Sequence, residues 1–157
     1  MSSATPTTNE LTFSRIINAP RDKVWRCWTE PALLMQWYCP RPWRVTQAEL
    51  DVRPGGRNFV LMEGPNGEKA PNPGVYLEVI PGRKLVMTDA FDEAWLPSGK
   101  AFMVAEITLE DAAEGRTQYR AVARHWSADD RQTHEQMGFH EGWAAAAQQL
   151  EDLARTI

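Results

Sequence analysis

The chain has 157 residues, of which 43% are hydrophobic and 24% are charged, the composition of one ordinary globular domain with enough apolar residues for a core. Its formal net charge of −4 at pH 7 excludes the broad basic surface that nucleic-acid-binding and membrane-surface proteins use. No apolar run approaches the roughly 18 residues of a bilayer span, and the polar opening stretch has no signal-peptide pattern. We therefore expect a cytoplasmic protein that has neither nucleic acid nor a membrane as its partner.

The sequence predicts a single structured domain. Residues 1–10 are polar and are predicted to form a disordered leader, whereas residues 11–157 contain no internal repeat and no linker that would separate two domains. Cys27 and Cys39 lie in a chain without an export pattern, so free and reduced thiols are expected.

The first part of the domain predicts one strand followed by two short helices. Residues 11–18 alternate apolar and polar side chains, which is typical of a half-buried strand. Pro20 suits the first turn of a helix that continues through Trp28. Thr29 begins a second short helix, which the two closely spaced prolines of residues 39–43 must end.

The middle of the chain predicts a series of antiparallel strands separated by turns. Residues 64–74, rich in glycine and proline, are predicted to form a loop, and residues 93–100 a longer excursion between two strands. The strands are recognised by their length, β-branched and aromatic content, and flanking turn chemistry. They are predicted at residues 44–51, 58–62, 74–82, 84–91, 102–110 and 116–126.

The last part of the chain predicts one long helix. Ser127 and Asp130 have the spacing of a capping box, and no proline follows before Arg155, which predicts a helix of about 28 residues. Gly138 and Gly142 inside it would each cost about 1 kcal/mol relative to alanine. They predict close backbone packing or a bend in the helix, or else space left over the sheet for a ligand. The apolar stripe consists of Phe139, Trp143, Ala146, Ala147, Leu150, Leu153 and Ile157.

These elements predict an α+β domain in which the long helix covers the sheet. Two short helices cannot cover an antiparallel sheet of this size, and the apolar stripe of the C-terminal helix needs a partner surface. The helix is therefore expected to lie across the concave face of the sheet.

Five segments, in this order, resemble the START-like or SRPBCC superfamily: INAPRDKVWRCWTEP, WYCPRPW, AELDVRPGGR, GVYLEVIPGRKLV and GFHEGWAAAAQQLEDL. Over about residues 11–154, the chain looks similar to the C-terminal domain of the heat-shock-protein-90 ATPase activator and its homologues. The resemblance implies the helix-grip fold, a curved six- to seven-stranded antiparallel sheet wrapped around a long C-terminal helix, with a cavity between them. Known members bind lipids, hormones or polyketides, and some are enzymes.

All three histidines lie between residues 125 and 140, which raises the question of a metal or catalytic site. His134 and His140 are six residues apart and point about 120° apart around a helix, and no CxxC or HExxH motif accompanies them. We therefore predict neither a metal site nor a cofactor. His134 is predicted on the solvated face, while His125 and His140 are the candidates for acid–base catalysis.

The predicted function is the binding of a small hydrophobic or aromatic molecule between the C-terminal helix and the sheet. The expected polar anchors are His125, His140 and Glu141. A slip of one residue in a strand would exchange its wall residues for those of the opposite face. The predicted wall consists of Trp37, Phe59, Tyr76, Met87, Phe91, Trp95, Phe102, Tyr119, Met137, His140 and Trp143.

Two alternatives of other classes stay open. One is an enzyme similar to polyketide cyclases or hydrolases, with His125 or His140 as the acid–base group. The other is a co-chaperone-like interaction module, including one that forms a homodimer, and this alternative predicts a sealed interior. A solidly packed interior would exclude the ligand-binding hypothesis.

Overall fold

The computed structural model describes residues 9–99 and 101–157. The predicted leader therefore lies outside the described residues, except for Asn9 and Glu10. The strands are β1 (Glu10–Ile17), β2 (Arg44–Leu50), β3 (Asn58–Glu63), β4 (Lys69–Asn72), β5 (Val75–Ile80), β6 (Lys84–Thr88), β7 (Phe91–Asp92), β8 (Leu96–Pro97), β9 (Met103–Ala112) and β10 (Arg116–His125). The helices are α1 (Arg21–Thr29), α2 (Pro31–Leu34), α3 (Ala128–Gln136) and α4 (Phe139–Ala154).

The strands form an antiparallel layer that confirms the predicted α+β class. Five of them lie in the order β1-β10-β9-β6-β5, and β2-β3-β4 form a second sheet. The two sheets meet where Arg57 bridges Val75 and the Asn58 backbone N–H donates to the Gly74 carbonyl at 2.9 Å. The C-terminal helix packs on this layer together with α1. None of the helices in the described part of the chain has both the length and the apolarity to cross a membrane.

The two segments predicted as irregular contain short strands. Residues 64–74 include β4, which pairs with β3 from Val60↔Asn72 to Glu63↔Lys69. Pro71 fits there because β4 is an edge strand, where a missing backbone N–H breaks no ladder. The excursion after β6 contains the β7–β8 hairpin. The prediction of an unstructured loop at residues 64–74 was therefore wrong for four residues.

The core is built around aromatic side chains whose polar atoms are satisfied. Tyr119 is fully buried, and its hydroxyl accepts a hydrogen bond from Trp28 Nε1 at 3.2 Å. Trp37 Nε1 donates to the Cys27 carbonyl at 2.9 Å. A buried donor without a partner costs about 1–3 kcal/mol, so these two bonds allow large indole rings to be buried beside the sheet.

The predicted single C-terminal helix is divided into two. α3 ends at Gln136, and Gly138 adopts a left-handed conformation, with φ of 92° and ψ of 38°, immediately before α4. The side chain of Ser127 caps α3 by accepting from the Asp130 N–H at 3.1 Å, as predicted. Apart from Ala128, α3 contains only polar residues, so no apolar stripe holds it in line with α4. The prediction that Gly138 lies inside a helix was therefore wrong, whereas the alternative of a bend at the glycines is confirmed at this residue.

The C-terminal half of α4 is fixed to the rest of the fold by polar side chains. The Glu151 carboxylate accepts hydrogen bonds from Arg15 Nη2 at 2.8 Å and from the Asn18 backbone N–H at 2.5 Å. Gln149 Nε2 donates to the carbonyls of Trp37 and Cys39, both at 2.9 Å. These bonds hold α4 against β1 on one side and against the segment after α2 on the other.

Gly142 lies in the first half of α4 and differs from Gly138. A Cβ added at Gly142 would meet no atom within 4 Å. The expectation of close backbone packing therefore fails at this position, whereas the expectation of open space holds. The two glycines have different roles: Gly138 turns the chain between α3 and α4, and Gly142 leaves open space beside α4.

We predict that alanine at these two positions has opposite effects on stability. Gly138→Ala forces a side chain into a left-handed conformation and should lower the free energy of unfolding by about 1–2 kcal/mol. Gly142→Ala introduces no clash and should raise it by about 1 kcal/mol through helix propensity. Urea denaturation followed by circular dichroism measures both variants. A stabilising Gly138→Ala, or a Gly142→Ala that destabilises, would contradict this assignment of the two glycines.

Candidate functional site

A cavity of about 440 Å³ lies between α4 and the sheet. The sheet contributes Met87, Met103 and the small side chain of Ala105, and α4 contributes Gly142, Trp143 and Ala146. The remaining wall comes from α1 and the segment after α2, from β3 and residues 72–74, from the end of β6 and the residues next to β6 and β9, and from the region around the break between α3 and α4. These further lining residues are Trp28, Trp37, Tyr38, Cys39, Pro40, Asn58, Met62, Asn72, Pro73, Gly74, Thr88, Asp89, Phe102, His134, Met137, Gly138 and Phe139.

Several polar groups at the cavity wall already have partners within the protein. Asp89 Oδ1 accepts from the backbone N–H groups of Phe102 and Met103, at 2.9 and 3.2 Å. The Thr88 hydroxyl donates to the Met103 carbonyl at 2.8 Å, and Asn58 Nδ2 donates to Met87 Sδ at 3.2 Å. These groups stabilise the wall itself.

Five of the predicted wall residues line this cavity. Trp37 is almost fully buried, whereas Met137 has 72% of its surface exposed, so the cavity wall reaches the solvent at Met137. The other three belong to β6, to the segment before β9 and to α4. The five residues are Trp37, Met87, Phe102, Met137 and Trp143.

Five other predicted wall residues lie outside the cavity. Tyr76 and Tyr119 face the interior, as their strand positions predict, but they are buried in the core. Phe59 lies under the guanidinium of Arg57, which is 4.7 Å from the ring centroid. Phe91 and Trp95 pack against each other in the β7–β8 hairpin, with centroids 5.7 Å apart.

The three predicted polar anchors also lie outside the cavity. His140 and Glu141 are exposed, because the face of α4 that points inward follows helical spacing from Phe139 and passes through Gly142, Trp143 and Ala146. His125 is 6% exposed and is covered by the end of α3.

His134 is the histidine that lines the cavity, and the sequence prediction placed it in solvent. The helix break at Gly138 turns the end of α3 towards the sheet, so that His134 Nδ1 lies 2.8 Å from His125 Nε2. The rings of Phe102 and Phe139 flank it, with centroids 5.2 and 5.1 Å away. The sequence carried one signal for this arrangement. Residues 129–136 have no apolar side chain, so His134 is the side chain of this segment best suited to pack against the sheet.

The hydrogen bonds of His125 fix the tautomers of the pair when both rings are neutral. His125 Nδ1 lies 2.8 Å from the Asn9 carbonyl, which can only accept, so this nitrogen carries the proton. His125 Nε2 is then an acceptor, and His134 Nδ1 donates to it. Consequently the proton of His134 is on Nδ1, and its Nε2 has a free lone pair.

Burial controls the titration of the groups at the site. Burial first, and the charge of the neighbouring His125 second, lower the pKa of His134 to about 4. Burial also raises the pKa of Tyr38 to about 12 and raises the pKa of the Cys39 thiol. His134 is therefore neutral at pH 7, and Cys39 lacks the thiolate character of a reactive nucleophile.

Among the side chains that the structure describes, no three or more His, Cys, Asp or Glu are grouped with the geometry of a metal site. Cys27 and Cys39 are both free and buried. His125 and His134 thus form a hydrogen-bonded pair, and the Asn9 carbonyl accepts a hydrogen bond from His125. Of the two rings, the one that lines the cavity is His134.

We predict that His134 makes the protein less stable in acid. The unfolded chain binds a proton on this histidine between about pH 6.5 and pH 4, whereas the folded protein does not, so stability falls as pH decreases through this window. His134→Asn keeps a donor for His125 Nε2 and removes the titrating group. The wild type should lose more free energy of unfolding between pH 7 and 4.5 than this variant, by at most about 1.4 kcal/mol per pH unit and less after solvent screening.

Urea denaturation at several pH values measures this difference, and His140→Asn, at an exposed position, is the control. Equal pH slopes for the wild type and His134→Asn would contradict the depressed pKa. A slope changed equally by His140→Asn would show that the effect is not specific to the buried ring.

Comparison with known proteins shows extensive similarity to solved structures. The chain is 38% identical to a Nitrosomonas europaea protein whose crystal structure superimposes with a TM-score of 0.92, over 97% of each chain. A crystal structure from Mycobacterium smegmatis is 28% identical, with a TM-score of 0.78 over 93% of this chain and 90% of the other. A solution structure from Arthrobacter aurescens, 24% identical over 99% and 92% of the two chains with a TM-score of 0.81, shares the fold.

No curated protein is significantly similar to the chain in sequence. The family model described as "Activator of Hsp90 ATPase homolog 1-like protein" matches residues 18–155, from the end of β1 to the end of α4. This range includes all five segments on which the START-like resemblance was based, apart from the first residue of the first one. The chain therefore belongs to the family of Activator of Hsp90 ATPase homolog 1-like proteins.

Proposed function

We propose that this protein binds a small hydrophobic or aromatic molecule in the cavity between α4 and the sheet. The observation that carries the proposal is the cavity itself, about 440 Å³ in volume, which lies within the usual range of small-molecule sites, about 300–1,000 Å³. Protein interiors are normally packed without voids of this size. The open space over Gly142 therefore supports a ligand site.

The chemistry of the wall supports an apolar ligand. Tryptophan, phenylalanine, methionine and alanine side chains make up much of it, and the polar groups of Thr88, Asn58 and Asp89 described above are engaged within the protein. A ligand with many polar groups would lose its hydration in the cavity without gaining equivalent partners. An apolar molecule has no such cost and gains roughly 25 cal/mol for each Å² of apolar surface removed from water.

The arrangement of the aromatic rings supports a flat or aromatic ligand. Trp28 and Trp143 are stacked with centroids 6.3 Å apart, and Trp37 meets Trp28 edge to face at 5.0 Å. The indole nitrogens of Trp28 and Trp37 are held by hydrogen bonds, so these two rings are fixed in place. Rigid aromatic walls favour a planar ligand, which loses little conformational freedom on binding.

The alternative functions have weaker support. The ring of His140 is exposed outside the cavity, and His125 lies behind His134, so neither proposed acid–base group reaches the cavity. A co-chaperone-like module was expected to have a sealed interior, which does not match the cavity found here. The homodimer and the cytoplasmic location expected from the sequence stay predictions.

We predict that filling the space over Gly142 abolishes ligand binding without unfolding the protein. The side chain of Gly142→Phe should extend over the preceding turn of the helix, into the cavity, and weaken the binding of a naphthalene-sized apolar probe such as 2-methylnaphthalene at least tenfold. Ala144→Phe puts the same side chain at an exposed position of α4 and should bind as the wild type does. Titration followed by the indole N–H signals in ¹⁵N-labelled protein measures all three affinities.

Two results would contradict the proposal. The first is that 2-methylnaphthalene, indole and similar apolar probes produce no saturable change in the wild type. The second is that a correctly folded Gly142→Phe variant binds the probe as well as Ala144→Phe does, because the ligand would then occupy a different place.

A further inference from the structure

We propose that the cavity selects an uncharged molecule with one hydroxyl or N–H donor, which donates a hydrogen bond to Nε2 of His134. The matching ligand is a phenol, an alcohol or a similar neutral donor on an apolar frame, and carboxylates are rejected. This inference rests on the proposed function, since it names the chemistry of the molecule that the same cavity binds.

The first support is the position of His134 relative to its partner. His134 lines the cavity and His125 does not, while Nδ1 of His134 is occupied by the 2.8 Å hydrogen bond to His125. The ring edge that points away from His125 is therefore the one that reaches the cavity. Within the described part of the chain, His134 Nε2 has no hydrogen-bond partner, in contrast to the Thr88 hydroxyl and to Asp89 Oδ1.

The second support is the direction of the hydrogen-bond chain. The Asn9 carbonyl accepts from His125 Nδ1, and it also accepts from the His125 backbone N–H at 2.8 Å. Since a carbonyl cannot donate, the neutral pair has one arrangement of protons, and that arrangement leaves a lone pair on His134 Nε2. The site therefore offers an acceptor, and a ligand must bring the donor.

The third support is the charge of the wall. Among the lining residues that the structure describes, none is arginine or lysine, and Asp89 contributes a carboxylate to the same wall. An anionic ligand would thus meet a neutral histidine and a like charge, with no cation to compensate for its lost hydration. A neutral donor has no such cost.

The surroundings of His134 keep the acceptor in place. The rings of Phe102 and Phe139 flank the imidazole, and burial favours its neutral form. A weakly basic, unprotonated nitrogen is suited to accepting a hydrogen bond and poorly suited to removing a proton from a substrate. The same features that reduce its value as a catalytic base make it a stable recognition group.

Three naphthalene probes of similar size test this inference in the full-length protein by isothermal titration calorimetry at pH 7. They are 2-naphthol, 2-methylnaphthalene and 2-naphthoate. In the wild type, 2-naphthol should bind about three- to tenfold more tightly than 2-methylnaphthalene, as expected for one hydrogen bond. The binding of 2-naphthoate should be at least tenfold weaker than that of 2-naphthol.

The variant His134→Phe replaces the imidazole with a ring that has no acceptor. It should retain the affinity for 2-methylnaphthalene within about threefold and bring the ratio of the naphthol and methylnaphthalene affinities close to one. His140→Phe is the matched control at the neighbouring exposed histidine and should keep the wild-type ratios. If His134→Phe does not fold, His134→Asn serves instead, because it keeps a donor for His125 and its side chain is shorter on the cavity side.

The outcomes separate this inference from the proposed function. Equal preference for 2-naphthol in the wild type and in the His134 variant, or tight binding of 2-naphthoate, would overturn the inference and leave ligand binding in place. Failure of the wild type to bind any of the three probes would count against the proposed function, and the inference would fall with it.

Discussion

The cavity depends on the way in which α4 is fixed at one end. The Glu151 carboxylate is almost buried and is compensated by the Arg15 guanidinium and the Asn18 backbone N–H. A buried carboxylate without such partners would be strongly destabilising, so this contact sets the position of the last two turns. Leu150 and Ala154 are fully buried beside it. Because a helix is nearly rigid over 16 residues, fixing its end also fixes the height of its first turns above the sheet, where Gly142 leaves open space.

The break at Gly138 determines what closes the other end of the cavity. In a continuous helix, the residues of α3 would extend along the axis of α4, and His134 would lie away from the end of β10. The left-handed backbone of Gly138 instead lets α3 return towards the end of β10, where His125 is. Phe139 follows the break at once and packs with Leu11 and Ala123, which anchors the first turn of α4. A single backbone conformation thus brings the two histidines together.

The sequence predicted the elements and their faces better than it predicted the site. Period-two patterns identified the strands because each strand has one buried face, and Tyr76, Tyr119 and His125 point inward as expected. Whether an inward residue meets a cavity or solid core is decided by what covers it. Trp28 covers Tyr119 through a contact 91 residues distant in sequence, and α3 covers His125. Neither contact leaves a local signal in the sequence. The inward direction of Tyr119 and His125 was therefore predicted correctly, but their position at the cavity wall was wrong.

His134 was missed because the helical pattern was extended through a segment that does not support it. The polar residues of α3 were assigned to the solvated face of one long helix lying on the sheet. A helical segment without an apolar stripe gains little from lying there, so it has no reason to continue straight from α4. The capping residue Ser127 was correctly identified from its local hydrogen-bonding chemistry, whereas the helix break required knowledge of where α3 packs. A bend was among the alternatives for Gly138 and Gly142, because glycine adopts positive φ without strain, but the sequence pattern did not show at which glycine the chain turns. Family resemblance did not resolve this point, since it implied one long gripping helix.

The cavity, Gly142 and the histidine pair each carry a cost in stability. An interior void loses dispersion contacts, a glycine inside a helix costs about 1 kcal/mol, and a buried histidine disfavours folding below its normal pKa. Alanine at position 142 or a larger side chain at Ala105 would reduce the first two costs with no change to the fold. Gly142 and His134 both line this cavity, and His125 holds His134 from behind through the 2.8 Å hydrogen bond. Under the proposed function, these costs follow from keeping open space and one unpaired acceptor for a ligand.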